Sequence, residues 1–137
     1  MRQLLAGFAV MAAFACGGAT STNPEADISG TYAMRTYNGS PLPYALPGST
    51  TNFTLTSDIL TLVSDKSWTE SESFRRTING QTSSGNRNYG GSWTRSGSFL
   101  TLRNAAGDST VYMGTYTTNT LTLNALSLNG IVQVFVK

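Results

Sequence analysis

The sequence predicts an all-β domain: a single antiparallel up-and-down meander that closes into a small barrel of eight to nine strands. Three observations carry this. From Ile28 onward, short runs alternate apolar and polar residues, and turn signals interrupt them every 8 to 14 residues or so. No window sustains a helical period. Asn-Gly, which supplies the two positive φ angles of a type I′ hairpin turn, occurs at Asn38-Gly39, Asn79-Gly80 and Asn129-Gly130. A meander of this length hides its edges by closing on itself. About eight strands leave an interior just wide enough for side chains or one small ligand.

The elements follow from the breaks. Besides the Asn-Gly pairs, turn chemistry marks Pro41 to Gly48, Ser64 to Ser67, Ser83 to Asn86, Ser96-Gly97, Ala106 to Asp108 and Thr118-Asn119. The expected strands are 30–38, 50–56, 58–64, 67–78, 86–95, 98–104, 109–117, 120–125 and 131–137. Alternation assigns their faces. Tyr32, Met34 and Thr36 share a side, as do Phe53 and Leu55, Leu60 and Leu62, Leu100 and Leu102, Val111 and Met113, and Leu121 and Leu123. The last strand is apolar on both faces, with Val132, Val134 and Val136 opposing Ile131, Gln133 and Phe135. Pairing it with the first strand closes the barrel. Residues 37–49, YNGSPLPYALPGS, form a proline-stiffened lid or rim loop.

Composition agrees. The 137 residues suffice for one domain. Only 12% are charged, about half the usual share. Serine, threonine, asparagine and glycine supply solubility instead, and they suit strands and tight turns. The formal charge is +2 with no basic run, so the electrostatic footprint of a nucleic-acid binder is missing. A monomer without cofactors is expected.

The N-terminus has a different character. Met1 and Arg2 precede an apolar run, Leu4 to Phe14, of about 11 residues. That is short of the roughly 20 needed to span a bilayer and fits the core of a signal peptide. The only cysteine, Cys16, follows in AAFACGGATSTNP. Ala13, Phe14, Ala15 and Cys16 resemble the bacterial lipobox. That resemblance implies a signal peptide over residues 1–15, with Cys16 as first mature residue carrying acyl chains. More than one chain makes anchoring stable, at about 0.8 kcal/mol per buried CH₂. The alternative is ordinary cleavage after Ala15, which leaves a free thiol in an oxidising compartment. Residues 16–27 then read as the lipidated cysteine and a small, polar, flexible tether, and residues 28–137 as the barrel. Gly17 follows the cysteine where an aspartate signals inner-membrane retention, so the cell envelope, and the outer membrane within it, is the expected location.

SGTYAMRTYNGSPLPY, residues 29–44, resembles the opening of small bacterial lipocalin-like (calycin-type) lipoproteins. So does the later pattern of Gly91, Trp93, Gly97, Leu100, Thr101 and Leu102, and so does the terminal strand ending on Lys137. The wider lipocalin superfamily packs a basic residue over an aromatic near its first strand. Here that aromatic is Tyr32, with Arg103 or Lys137 as its partner. The resemblance implies the barrel and is almost silent on function.

There is no histidine. With the cysteine used for anchoring, the usual zinc, copper and haem ligands and every Ser-His or Cys-His arrangement are gone. Asp58, Asp65 and Asp108 fall at apparent turns, where aspartate bonds local backbone. The unusual strand is SWTESESFRRTI, residues 67–78. One face reads Trp68, Glu70, Glu72, Phe74, Arg76 and Ile78. If it points inward, Glu70, Glu72 and Arg76 anchor a polar ligand group, since buried charges need partners. If the strand end leaves the barrel or bulges, the charges are merely solvated. As paired carboxylates, Glu70 and Glu72 stand roughly 6.6 Å apart by strand rise, within the range of inverting glycosidases. The aromatics Tyr32, Phe53, Trp68, Phe74, Trp93, Tyr112 and Phe135 either fill the core or line a pocket. The expected function is a membrane-anchored, non-enzymatic binding module for a small apolar or amphipathic ligand. The rival is a filled barrel acting as a structural or protein-interaction lipoprotein.

Overall fold

The structure is a computed structural model that describes residues 26–47, 52–105 and 109–137. The signal peptide expected over 1–15, Cys16 and most of the tether lie outside the described residues. The strands are β1 (Gly30–Tyr37), β2 (Ser40–Pro41), β3 (Tyr44–Ala45), β4 (Phe53–Leu62), β5 (Ser67–Ile78), β6 (Gln81–Ser96), β7 (Phe99–Asn104), β8 (Thr110–Thr117), β9 (Thr120–Ala125) and β10 (Ile131–Val136). A 3₁₀ turn, Leu126–Leu128, precedes β10.

Neighbours in sequence pair antiparallel from β4 to β10, β10 pairs with β1, and β1 pairs with β4. Eight strands therefore close a barrel, with β2 and β3 as two short additions at its rim. The closing pair matches the expectation: Met34 stands opposite Phe135, and Tyr37 opposite Gln133. Each Asn-Gly pair has positive φ at both residues. Asn38-Gly39 and Asn79-Gly80 are the central residues of tight hairpins, as a type I′ turn requires, whereas Asn129-Gly130 ends the longer connection 126–130 that opens with the 3₁₀ turn.

Three expectations are corrected. Strands 50–56 and 58–64 are one strand, β4, whose register shifts between Leu55 and Ser57. Its buried set passes from odd positions, Leu55, to even ones, Asp58, Leu60 and Leu62. A bulge makes that switch without ending the strand, and Thr56 Oγ1 donates to the Ser73 carbonyl at 2.8 Å beside it. The break at Ser83 to Asn86 is also absent. β6 begins at Gln81, and Ser83 to Asn86 pair with Arg76 to Ser73. This polar stretch stays in register because the Asn79-Gly80 turn propagates a ribbon past the barrel wall, where both faces are solvated. Finally, residues 37–49 are not wholly loop, since they hold β2 and β3. Leu42, Tyr44 and Leu46 pack against the core from there.

The barrel has two unlike ends. The turns after β4, β6 and β8 gather at one end, where residues 26–29 cross over. Tyr32 Oη donates to the Ile28 carbonyl, Arg95 Nη1 to Ala26, and Lys137 Nζ to Ser29. Trp93 Nε1 donates to the Val63 carbonyl at 3.0 Å, and Lys66 Nζ lies 3.9 Å from the Trp93 ring centre. Leu60, Leu62, Leu100, Leu121 and Phe135 fill this half without exposure beyond 1%. Lys137 is the basic residue over Tyr32, at 5.8 Å. The other end is rimmed by β2, β3 and the 3₁₀ turn.

Candidate functional site

A cavity of about 180 Å³ opens at this second end. Its apolar wall is Leu46, Phe53, Leu55, Val111 and Leu128, joined by Tyr37, Trp68 and Tyr112. Glu70 and Glu72 lie at its polar side, with Arg87 and Tyr89 facing them from β6. Strand pairing explains the grouping. Register runs outward from the Asn79-Gly80 turn and sets Glu72 opposite Arg87, Glu70 opposite Tyr89 and Trp68 opposite Gly91. Residues paired across an antiparallel ladder share a face. Gly91 is required where it stands, because a Cβ there would come within 1.9 Å of the Arg103 carbonyl oxygen. Trp68 instead sends its indole N–H to that same carbonyl, at 2.9 Å, and meets Tyr112 edge-on at 6.1 Å.

Three carboxyls converge. Single oxygens of Asp58, Glu70 and Glu72 lie within 4.8 Å of one another. Asp58 sits on β4 opposite Glu72, and Glu70 is two pairs along, opposite Leu60. Tyr112 Oη reaches across the barrel and lies 2.9 Å from both Glu70 oxygens. Tyr89 Oη lies 3.4 Å from Glu72 Oε2. Neither Asp58 oxygen meets an N–H or O–H donor, although Asp58 is only 1% exposed. Its partner within the cluster is Glu70, another acceptor, so a bond between them requires a proton on one carboxyl.

Burial decides which one. Desolvation, then the charge of Glu70, drives Asp58 far above the carboxylate range, so it is neutral at pH 7 and can donate to Glu70. Glu70 is also pushed up by burial, but the bonds from Tyr112 and Asp58 hold it lower. Burial raises Glu72 too, and Arg87 draws it back down. Burial raises Tyr112, with Glu70 adding to it, which keeps the phenol a donor. Gln133, fully buried in β10, also has both amide atoms unpartnered.

Of the residues singled out from sequence, Phe53, Trp68, Glu70, Glu72 and Tyr112 meet at this cavity. Phe74 stacks on Phe53 at its rim, ring centres 4.8 Å apart. Tyr32, Trp93 and Phe135 belong to the packed core. Arg76 is exposed, opposite Phe53 at the start of β4, and is not part of the cavity wall. The inward face of β5 therefore holds through Glu72 and turns to solvent beyond Phe74. Asp58 is corrected outright: it lies mid-strand and buried, not in a turn. Asp65 does cap a turn, accepting from Ser67 N at 2.8 Å, and Asp108 lies outside the described residues. Sequence reading missed Arg87, Tyr89, Tyr37 and Asp58. Compared with models of known protein families, with curated proteins and with solved structures, the chain gives no match.

Proposed function

We propose that this chain is a lipid-anchored envelope protein, related in kind to lipocalin-like lipoproteins, whose monomeric barrel binds one small amphipathic molecule. The observation that carries the reading is the cavity, apolar on most of its wall and polar on one side. Its size narrows the ligand. About 180 Å³ is below the roughly 300 Å³ where ordinary small-molecule pockets begin, and slightly above the ~150 Å³ core cavity that accepts benzene. A fatty acid or phospholipid chain does not fit, whereas a molecule of one ring and a short polar arm does.

The anchor supports the same reading. Nine residues, 17–25, separate Cys16 from Ala26, a reach of at most roughly 35 Å. Ala26 lies at the filled end. Acylation of Cys16 would therefore hold the filled end toward the bilayer and the cavity toward water. The protein would capture a water-borne ligand, not extract one from lipid. We assign binding and not catalysis, on the largely apolar wall of the cavity.

Two measurements test this. Palmitate labelling in a bacterial host should mark the protein, and Cys16→Ser should lose both the label and the membrane fraction. Native mass spectrometry of gently purified protein should show an added small mass that leaves on unfolding. A bare protein mass would favour the filled-barrel interaction module instead.

A further inference from the structure

We infer that the ligand of this cavity is a small organic cation, a primary or secondary ammonium whose N–H groups are received by Glu70 and Glu72 while its apolar body lies against Trp68 and Phe53. The inference rests on the binding reading above and names the ligand's chemistry.

The first argument is the count of donors against acceptors. Three carboxyls bring six oxygens together, and two phenols, Tyr112 and Tyr89, are the protein hydroxyls that reach them. An ionised carboxylate offers about four acceptor directions. Even with Asp58 protonated and donating to Glu70, the site has acceptor capacity that no protein group fills. Asp58, 1% exposed and aimed into the cluster, has no donor of its own. A ligand that completes this site brings donors.

The second argument is charge. Arg87 is the one cation in the cavity wall among the described residues. It also lies over the faces of Phe53 and Phe74, 5.1 and 4.9 Å from their ring centres. With Asp58 neutral, Glu72 and Glu70, whose carboxyl is raised to about 7, carry between one and two negative charges against that single positive one. A monocation draws the remaining proton off Glu70 and balances the site, whereas a carboxylate or phosphate adds a further negative charge to a buried pair. The third argument is the wall. Trp68, Tyr112 and Phe53 offer ring faces and edges beside the carboxyls, and ring faces favour ammonium groups. A bare metal ion would leave that apolar volume empty.

The test uses three probes of one shape: 2-phenylethylamine, 2-phenylethanol and phenylacetate, titrated calorimetrically into the full chain as its host produces it, at pH 7. The amine should bind at least about tenfold tighter than the alcohol, the effect of one hydrogen bond to a charged group, and phenylacetate should bind weakest. Glu70→Gln and Glu72→Gln should each narrow the amine-to-alcohol ratio. Glu72 lies at the half-buried side of the cluster, so its variant keeps the test available if Glu70→Gln does not fold. Alcohol binding as tight as amine binding overturns the cation assignment and leaves the pocket reading standing. A preference for phenylacetate does the same. No binding by any probe at millimolar concentration overturns both. Calcium or zinc binding that excludes the amine and is lost in Glu72→Gln replaces the assignment with a metal site.

Discussion

The two ends of this barrel are built from the same strands and obey opposite rules. At the filled end the buried phenol and indole groups named above have their partners, and Ser29 Oγ is the buried side-chain atom there that has none. Tyr32 bonds Ile28, Trp93 bonds Val63, and Lys66 and Lys137 lie over aromatic rings. At the open end Asp58 and Gln133 are buried without donors or acceptors, and three carboxyls share one small volume. Such groups cost stability unless something compensates them. A domain that satisfies one half so fully and leaves the other half short has its stability and its binding capacity in different places. Substitutions at the filled end should lose stability. Neutralising substitutions at the open end should gain it, as binding sites commonly trade stability for function.

The largest effect belongs to Trp93. It is 2% exposed and holds the β4–β5 turn through its indole N–H. Trp93→Ala should cost about 3–5 kcal/mol in chemical denaturation, as large-to-small changes in packed cores do. A loss below 1 kcal/mol would show that the filled end is not where the fold is held.

The opposite sign is expected at Asp58, and it carries a pH signature. Its carboxyl binds a proton in the folded state that the unfolded chain releases above about pH 4. Stability contributed by such a group falls as pH rises, by up to about 1.4 kcal/mol per unit between the unfolded and folded values. Glu70 is shifted in the same direction and adds to the slope, while Arg87 limits the contribution of Glu72. The wild-type melting temperature should therefore fall between pH 5 and pH 8. Asp58→Asn should flatten that profile and raise stability at pH 8 by about 1–3 kcal/mol. An unchanged slope in the variant would place the titrating group elsewhere.

The contrast between the ends also explains what was readable in the sequence. The filled end was legible because alternation is a local signal: Leu60, Leu62, Leu100, Leu102, Leu121 and Leu123 follow period two. The open end was half legible. Glu70 and Glu72 stand out as charges on an aromatic face, but their partners come from other strands. Arg87 and Tyr89 were recoverable by counting outward from Asn79-Gly80, which pairs Glu72 with Arg87. The polar run Ser83 to Asn86 hid that count by imitating a loop. Asp58 was hidden by the bulge at Thr56. Local alternation cannot show a parity switch unless a bulge is allowed for, and without one Asp58 reads as a turn between two strands. Tyr112 was visible as an aromatic, but its bond to Glu70 crosses the barrel and depends on closure.

A smaller loss separates hydrogen bonding from packing at the filled end. Tyr32→Phe keeps the ring and removes the donor to Ile28. Burial raises the Tyr32 hydroxyl to about 12, so it is a neutral donor across the physiological range. The variant strands the Ile28 carbonyl, and the expected loss is about 1–2 kcal/mol at every pH from 5 to 9. That flat profile is the control for the sloping one at Asp58.

The smallest effect tests whether surface charge contributes to the filled end at all. Lys66 is exposed, yet its ammonium lies 3.9 Å from the centre of the Trp93 ring. Lys66→Met keeps the aliphatic stem over the indole and removes the charge. An exposed cation held over a ring is worth about 0.5–1 kcal/mol, so the variant should lose that much. The loss should shrink little in high salt, because the attraction is to a ring and not to a screened ion pair. Lys66→Met made on a Trp93→Leu background should cost nothing further, since the ring is gone. A loss that persists there would assign Lys66 to the backbone geometry of its own turn, where its φ is +72°, and the filled end would then owe its stability to burial and hydrogen bonds alone.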